Sequence, residues 1–432
     1  MFPFQKFRIF ILSLILTVCI GNVAVVAEGE TTEPSVETLE LSVYQTDLWD
    51  YTPLFQTYVD EINPNVKINI YSFPIWEYED NIKIALASGD TPDLILFPNW
   101  FIPDFSSTEG LFTDMNEIDS SAVSEIRSGT VKGLWSTINP PGRKSVSFVP
   151  LNSLPSVMFY RTDLFRKAGL PTQPEAVEAK LNSWNAVASL GKIYKSKTKR
   201  ALLGQPTSIF NSVIQLKTPI YYDNKNNYIG DKNPQIKKAY DYVVKGMKEG
   251  WIGKYKDFNS LENAVKSGSV GAVIGEPSIA QSIKDWVPKL AGKWAVASVP
   301  ERTYDSGTLS AAIPPMKQNS GAAMELIQWL AGANAQNMAF NNFGFFPANL
   351  EALGETEWLN ESDAFYGNQK VNHWYVKAAQ TAKPDALYQN HSLELHSSFN
   401  NAIIRLIRNA KSDPTKEWAA AVKEAKKIAA SN

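Results

Sequence analysis

Between Leu39 and Trp100 the hydrophobic period of the chain changes repeatedly, and each change predicts an element. Leu39 to Tyr44 alternates apolar and polar residues as a half-buried strand does. Pro53 to Ile62 has a helical pattern that Asn63-Pro64-Asn65 ends, because a residue before proline avoids the helical region. Val66 to Tyr71 reads as a second strand. Asn81 to Ser88 reads as the end of a helix, with Gly89 placed for a left-handed C-cap and Pro92 forbidding continuation. Leu94-Ile95-Leu96-Phe97 is then apolar without alternation, the pattern of a strand covered on both faces.

The order strand, helix, strand, helix, strand implies an α/β fold with parallel strands and right-handed crossovers. Ligands of such sheets settle outside the carboxyl ends of the strands. Three loops would leave that edge carrying Asp47 and Trp49, then Trp76 and Tyr78, then Asn99 and Trp100. Indoles, a phenol, an amide and a carboxylate suit a sugar, whose ring has an apolar C–H face and a rim of hydroxyls. Each of these aromatic residues has an alternative place in the core, and Asn99 is alternatively a turn former.

The first 27 residues have Lys6 and Arg8, an apolar run from Ile9 to Ile20 and small residues before Glu28, the plan of a secretory signal peptide. The run is shorter than the roughly 20 residues that cross a bilayer. Cys19 raises a lipid anchor, but Val18 is bulky where a lipobox has a small residue. Cleavage after Ala27 is therefore expected, and would remove the only cysteine. Residues 28–38 are acidic and nearly free of large side chains, an N-terminal leader. What remains of the 432 residues is enough for two large lobes or three small ones at ~100–200 residues per domain. Forty-two basic and forty-four acidic residues leave a net charge of −2 with no basic stripe, so nucleic acid is a poor partner.

Longer segments carry a resemblance. They include ALASGDTPDLILF, VSFVPLNSLPSVMFYRTDLFRKAGLP from Val146, YYDNKNNYIGDKNPQIKKAYDYVVKGMKEGW from Tyr221, GSVGAVIGEPSIAQSI from Gly268, GTLSAAIPP from Gly307, and AAMELIQWLAGANAQNMAFNNFGFFPANLEAL from Ala322. In order and spacing the chain resembles the family 1 extracellular solute-binding proteins of carbohydrate ABC transporters, the maltodextrin-binding class among them. The resemblance implies a two-lobed periplasmic-binding-protein-like fold, each lobe a mostly parallel sheet flanked by helices. Lobe I would take 39–152 with 302–330, and lobe II 155–300 with 331–432. Ser153-Leu154-Pro155 and Pro300-Glu301-Arg302 would be hinges.

The resemblance also places residues near a ligand: Asn152 and Ser153 at a chain crossing, Tyr160 with Arg161 at a strand end, Ser310 in a backbone approach loop, Phe346, and Tyr388 with His391 in the second half. Tyr160 could equally pack beneath its strand. Where relatives read Gly-Pro-Trp, this chain reads Gly275-Glu276-Pro277, so Glu276 would offer a carboxylate in place of an indole.

No cofactor or metal is expected. Asp223 to Asn227 departs from a calcium loop, with Lys225 where an oxygen ligand belongs, and the three histidines form no zinc motif. A glycoside hydrolase would need two carboxylates about 5–10 Å apart, for which Asp47, Glu77 and Glu276 are the candidates. A surface protein that binds polysaccharide without transport would share the fold. The favoured expectation is a monomeric periplasmic or extracellular receptor that captures a carbohydrate, an oligosaccharide given the loop aromatics, and delivers it to a membrane permease.

Overall fold

The computed structural model describes residues 38–106, 110–139, 144–223, 225, 227–301, 304–305, 307–315, 317–354, 356–387 and 392–430. The signal segment with Cys19, residues 28–37 of the leader, Arg302, Tyr388 and His391 lie outside them.

The strands in chain order are β1 (Leu39–Thr46), β2 (Val66–Phe73), β3 (Leu94–Pro98), β4 (Val149–Pro150), β5 (Val157–Arg161), β6 (Ala201–Leu203), β7 (Val270–Gly275), β8 (Trp294–Ser298), β9 (Tyr304–Asp305), β10 (Leu309–Ala312) and β11 (Lys383–Pro384). One sheet has the order β2-β1-β3-β10-β4 and a second β6-β7-β5-β8; β9 and β11 form a two-stranded ribbon. The βαβαβ order read from the first hundred residues is present, with β1 parallel to β2 from Leu39↔Val66 to Thr46↔Phe73, and to β3 at Val43↔Leu94.

Both sheets are mixed rather than mostly parallel. β10 runs antiparallel to β3 and β4, and β5 runs antiparallel to β7 and β8, leaving β6–β7 as the one parallel pair of the second sheet. The cause is connectivity. The crossover rule governs successive strands joined within one sheet, whereas β5 follows β4 of the first sheet and β10 follows β8 of the second by way of the ribbon strand β9.

The uninterrupted apolar run of β3 is explained by its two covered faces. Leu94 and Leu96 join Leu41, Val43, Leu326 and Ile327 in one cluster, while Ile95 and Phe97 join Tyr78, Ile82, Phe105 and Phe148 in the other. The helix before β3 ends as expected, at Gly89 with φ +77° and its N–H on the Ala85 carbonyl at 3.0 Å. It begins earlier than expected, at Ile75, directly after Pro74. Tyr78, Ile82 and Ala85 therefore fall on one face and are buried, so Tyr78 belongs to the core, with its hydroxyl on the Leu96 carbonyl at 2.9 Å.

Two segments join the sheets: 151–156 between β4 and β5, and 299–308 between β8 and β10. The helix Ala333–Phe343 and the segment that follows pack on both sides: Phe340 lies on Trp358 at 4.6 Å and Phe346 on Tyr375 at 5.6 Å, beside contacts with the first sheet. Ala339 sits in the cluster of Leu41 and Val43, and residue 131 donates to the Ala348 carbonyl at 2.9 Å while Leu350 donates to Gly129 at 2.7 Å.

The helix Lys132–Ile138 lies so close to the β11 segment that a Cβ on Gly133 would stand 2.2 Å from the Ala382 carbonyl oxygen. Gly133→Ala should therefore cost about 1–3 kcal/mol of stability by overpacking. Gly321→Ala, in a helix with nothing within 4 Å of its Cβ, should be neutral or stabilising by up to about 1 kcal/mol. Urea unfolding of the two variants checks the contrast.

Candidate functional site

Because β1, β2 and β3 are parallel, their carboxyl ends share one edge of the first sheet. The loop after β1 is shaped from beneath by buried Gln45. Its amide donates to Asp50, Thr52 and Ser72 at 3.0–3.1 Å and accepts from the Tyr51 N–H at 3.0 Å. This holds Trp49 half-buried against Trp100, ring centroids 5.1 Å apart. Asp47 turns away: its carboxylate accepts the Ile75 N–H at 3.1 Å and caps the following helix. Trp76, in that helix's first turn, is 74% exposed with its indole N–H on Glu77 at 3.2 Å.

The two crossings are stitched together. Asn152 accepts from the N–H groups of Thr308 and Leu309 at 2.8 and 3.1 Å and donates to the Thr308 hydroxyl. Asp305 receives the Ser153 hydroxyl on one oxygen and the N–H groups of Leu154 and Gly307, at 2.9 and 2.8 Å, on the other. Gly307 has φ +59°, and a Cβ there would meet the Asn152 carbonyl at 2.6 Å, so only glycine fits this approach. Ser153 also donates its N–H to Phe346 at 2.8 Å, which ties in the loop 343–346. In that loop Phe345 stacks on Tyr51 at 5.5 Å.

From the second sheet, β7 ends at Gly275, and Glu276 starts the helix Pro277–Trp286 with its carboxylate accepting from Ser278 at 3.1 Å. These parts enclose a cavity of about 310 Å³, walled by Trp49, by residues 152–154 with Thr308, by 276–278 and by 343–346. It sits where segments of the first sheet, the second sheet and the crossings converge.

Of the residues expected at a site, Trp49, Asn152, Ser153, Glu276 and Phe346 line this cavity, and Trp100 backs Trp49. Asn99 and Ser310 are buried and bond to each other at 2.7 Å, joining β3 to β10 beneath the site. Tyr160 is core: on an inner strand of its sheet, it packs on Phe165 and donates to Thr172 at 3.0 Å. Of the acids Asp47, Glu77 and Glu276, only Glu276 lines the cavity. Sequence reasoning missed Thr308, Phe343 and Asp305; the aromatic residues around Gly344 were a usable signal, while nothing local marks Asp305.

Gln205 was also missed. It follows β6 at the edge where Glu276 follows the parallel β7, with φ +52° and a buried Oε1 that takes no hydrogen bond among the described residues. A strained, unsatisfied polar residue is the kind that gathers at binding sites. Asp223 spends its carboxylate on the N–H groups of Lys225 and Asn227, as the turn reading requires.

Burial raises the Asp305 carboxyl above its ordinary range in spite of its three donors. Asp385, just past β11, is pushed up to about 7, first by burial and then by the nearby charge of Asp305. The Thr137 hydroxyl lies between them, donating to the Asp305 carbonyl at 3.0 Å and accepting the Asp385 N–H at 2.7 Å.

A family model described as "Bacterial extracellular solute-binding protein" matches residues 49–337. Among solved structures, an extracellular solute-binding protein of family 1 superposes with a TM-score of 0.83 at 22% identity, covering 90% of this chain and 100% of that one. The sugar-binding protein MalE of Xanthomonas citri superposes at 0.75 with 15% identity, covering 91% and 98%. A cyclo/maltodextrin-binding protein complexed with maltotetraose does so at 0.68 with 16% identity, covering 92% and 98%. At these identities the likeness establishes the two-lobed fold.

The Asp385 carboxyl gives a stability signature. Its folded pKa of about 7 exceeds its ordinary 3.8, so the folded chain keeps a proton that the unfolded chain releases, and stability is lost as pH rises from about 4 through 7. Asp385→Asn removes that loss. Urea unfolding at pH 4.5 and pH 8 should show the variant gaining on the parent protein by up to about 3 kcal/mol at the higher pH. An equal difference at both pH values would refute the assignment.

Proposed function

From the premise that this chain belongs to the bacterial extracellular solute-binding proteins, we propose that it is the receptor of an ABC importer for a carbohydrate. The observation that carries the reading is the cavity at the convergence of the two sheets and their crossings. Aromatic faces from Trp49, Phe343 and Phe345 and polar groups from Asn152, Thr308 and Glu276 meet there. Rings stack on the C–H faces of a sugar, while the amide, hydroxyl and carboxylate orient its hydroxyls. Selectivity arises because a buried polar group left unpaired by the wrong sugar costs about 1–3 kcal/mol.

In this reading lobe I is built on the first sheet and includes residues 333–354, and lobe II is built on the second. Pivoting of the lobes about 151–156 and 299–308 would enclose the ligand, and a membrane permease would recognise the enclosed state. The signal segment 1–27 would direct export, and the mature chain would work as a monomer. The family is one of binding proteins, and Glu276 as the sole cavity acid among the three hydrolase candidates favours capture over cleavage. Among the described residues no helix is long and apolar enough to cross a membrane, in keeping with a receptor that relies on a separate permease.

Thermal unfolding in the presence of mono- and oligosaccharides tests the reading. A ligand at 100 times its dissociation constant should stabilise the protein by about 2.7 kcal/mol. Trp49→Ala should weaken that ligand at least about tenfold, through loss of the stacking face. Stabilisation by no saccharide would defeat the proposal, and unchanged affinity would remove Trp49 from the site.

A further inference from the structure

The second sheet has another edge, remote from the cavity, and polar side chains gather there that the cavity does not use. β5 meets β7 at Val157↔Gly275, beside Glu276, and runs away from the cavity to Arg161, four residues or about 13 Å further on. Arg161 faces Trp294 of β8 across the sheet, and one step along the register with β7 sets Gly271 on its other side. Gly271 leaves room for a side chain from the helix Trp184–Thr198: a Cβ there would stand 2.3 Å from the Tyr194 hydroxyl. The Tyr194 hydroxyl, Arg161 and Trp294 therefore share one face of the sheet, with the Arg161 guanidinium 5.9 Å from the centre of the indole ring. Arg200, between that helix and β6, reaches the same place. A Cβ on Gly268 would be 3.1 Å from Arg200 Nη1 and 3.6 Å from Arg161 Nη1, so the two nitrogens lie within about 7 Å of each other.

This group has donors in excess of acceptors. Arg161 spends Nε and Nη2 on the two oxygens of Asp163 at 2.8 and 2.7 Å, and Asp163 Oδ1 also takes the Leu164 N–H at 2.9 Å. Arg161 Nη1 and the Arg200 guanidinium make no hydrogen bond or ion pair among the described residues. The Tyr194 hydroxyl and the Trp294 indole N–H are buried and equally without a partner there. The Thr198 hydroxyl gives its proton to the Tyr194 carbonyl at 2.7 Å. Burial pushes the Tyr194 hydroxyl up to about 12, with both guanidinium groups pulling it back, so it remains a donor at neutral pH. Arg161 is 6% exposed and Arg200 half-buried, so their like charges are poorly screened from each other. Exposed Lys199 and Lys293 add positive charge on either side. A multiply charged oxyanion offsets that repulsion, and the guanidinium fork matches the geometry of a phosphate. We propose that this edge of the second sheet is a phosphate-binding site, in which one phosphate group bridges Arg161 and Arg200 and accepts from the Tyr194 hydroxyl. A hydrogen bond of about 2.8 Å at each side spans the gap between the two arginines. A free phosphate ion and a phosphomonoester lipid headgroup present the same oxygens to these donors. The site is independent of the carbohydrate reading.

Calorimetric titration of the protein with inorganic phosphate at neutral pH, with ionic strength held constant by sodium chloride, tests the proposal. One equivalent should bind, and Arg200→Gln should weaken it at least about tenfold. Tyr194→Phe removes only an unpartnered hydroxyl, should keep the fold by circular dichroism, and should weaken phosphate by a similar factor; it serves if Arg200→Gln fails to fold. Sedimentation with phosphatidylcholine vesicles containing either phosphatidic acid or phosphatidylglycerol distinguishes the two sources of the group. Retention by phosphatidic acid alone, lost in the variants, assigns the lipid headgroup. No retention, or equal retention by both anionic lipids, assigns the free ion. Absence of phosphate binding, or binding unchanged in both variants, overturns the site.

Discussion

Asp305 is the constraint on which the rest of the site depends. Three donors from both chain crossings converge on its buried carboxylate: the Ser153 hydroxyl and the N–H groups of Leu154 and Gly307. A buried carboxylate is tolerable only with such partners. Its loss would leave two backbone donors unpaired, each at about 1–3 kcal/mol. The crossings are therefore clamped side by side where they leave the first sheet, and the floor of the cavity is a fixed surface rather than a pair of loose linkers.

The walls follow from that floor. Ser153 passes the constraint to Phe346 through a backbone bond, and the Phe345 ring then rests on Tyr51 in the loop that also carries Trp49. Glu276 arrives independently at the end of β7. The clamp holds the crossings to each other, and in the proposed reading the wall from the second sheet moves relative to Trp49 while the floor stays whole. A receptor that closes needs that division between a rigid pivot and a mobile wall.

Much of this architecture was legible in the sequence where periodicity speaks. β1, β2 and β3, the Gly89 cap and the shared strand edge follow from local patterns that burial enforces. The errors have equally physical causes. Trp76 and Tyr78 were placed in a loop because the helix was traced back from Gly89 only to Asn81, although Pro74 and the first-turn Glu77 mark an earlier start. A proline at the N-cap both opened the helix and turned Tyr78 inward. Asn99 and Ser310 are amide and hydroxyl at a strand end, as a sugar site requires, yet they satisfy each other across 211 residues of chain. No local pattern distinguishes a polar group aimed at a ligand from one paired with a distant partner. The antiparallel entry of β5 and β10 was hidden for a related reason: strand direction is set by which sheet the chain has come from.

A crystal structure of the protein with the saccharide that most stabilises it tests the central claim most directly. The account predicts sugar density against Trp49 and Glu276 with Ser153, Leu154 and Gly307 all still bonded to Asp305. Sugar bound elsewhere on the molecule, or bound there with the Asp305 clamp broken, would contradict it.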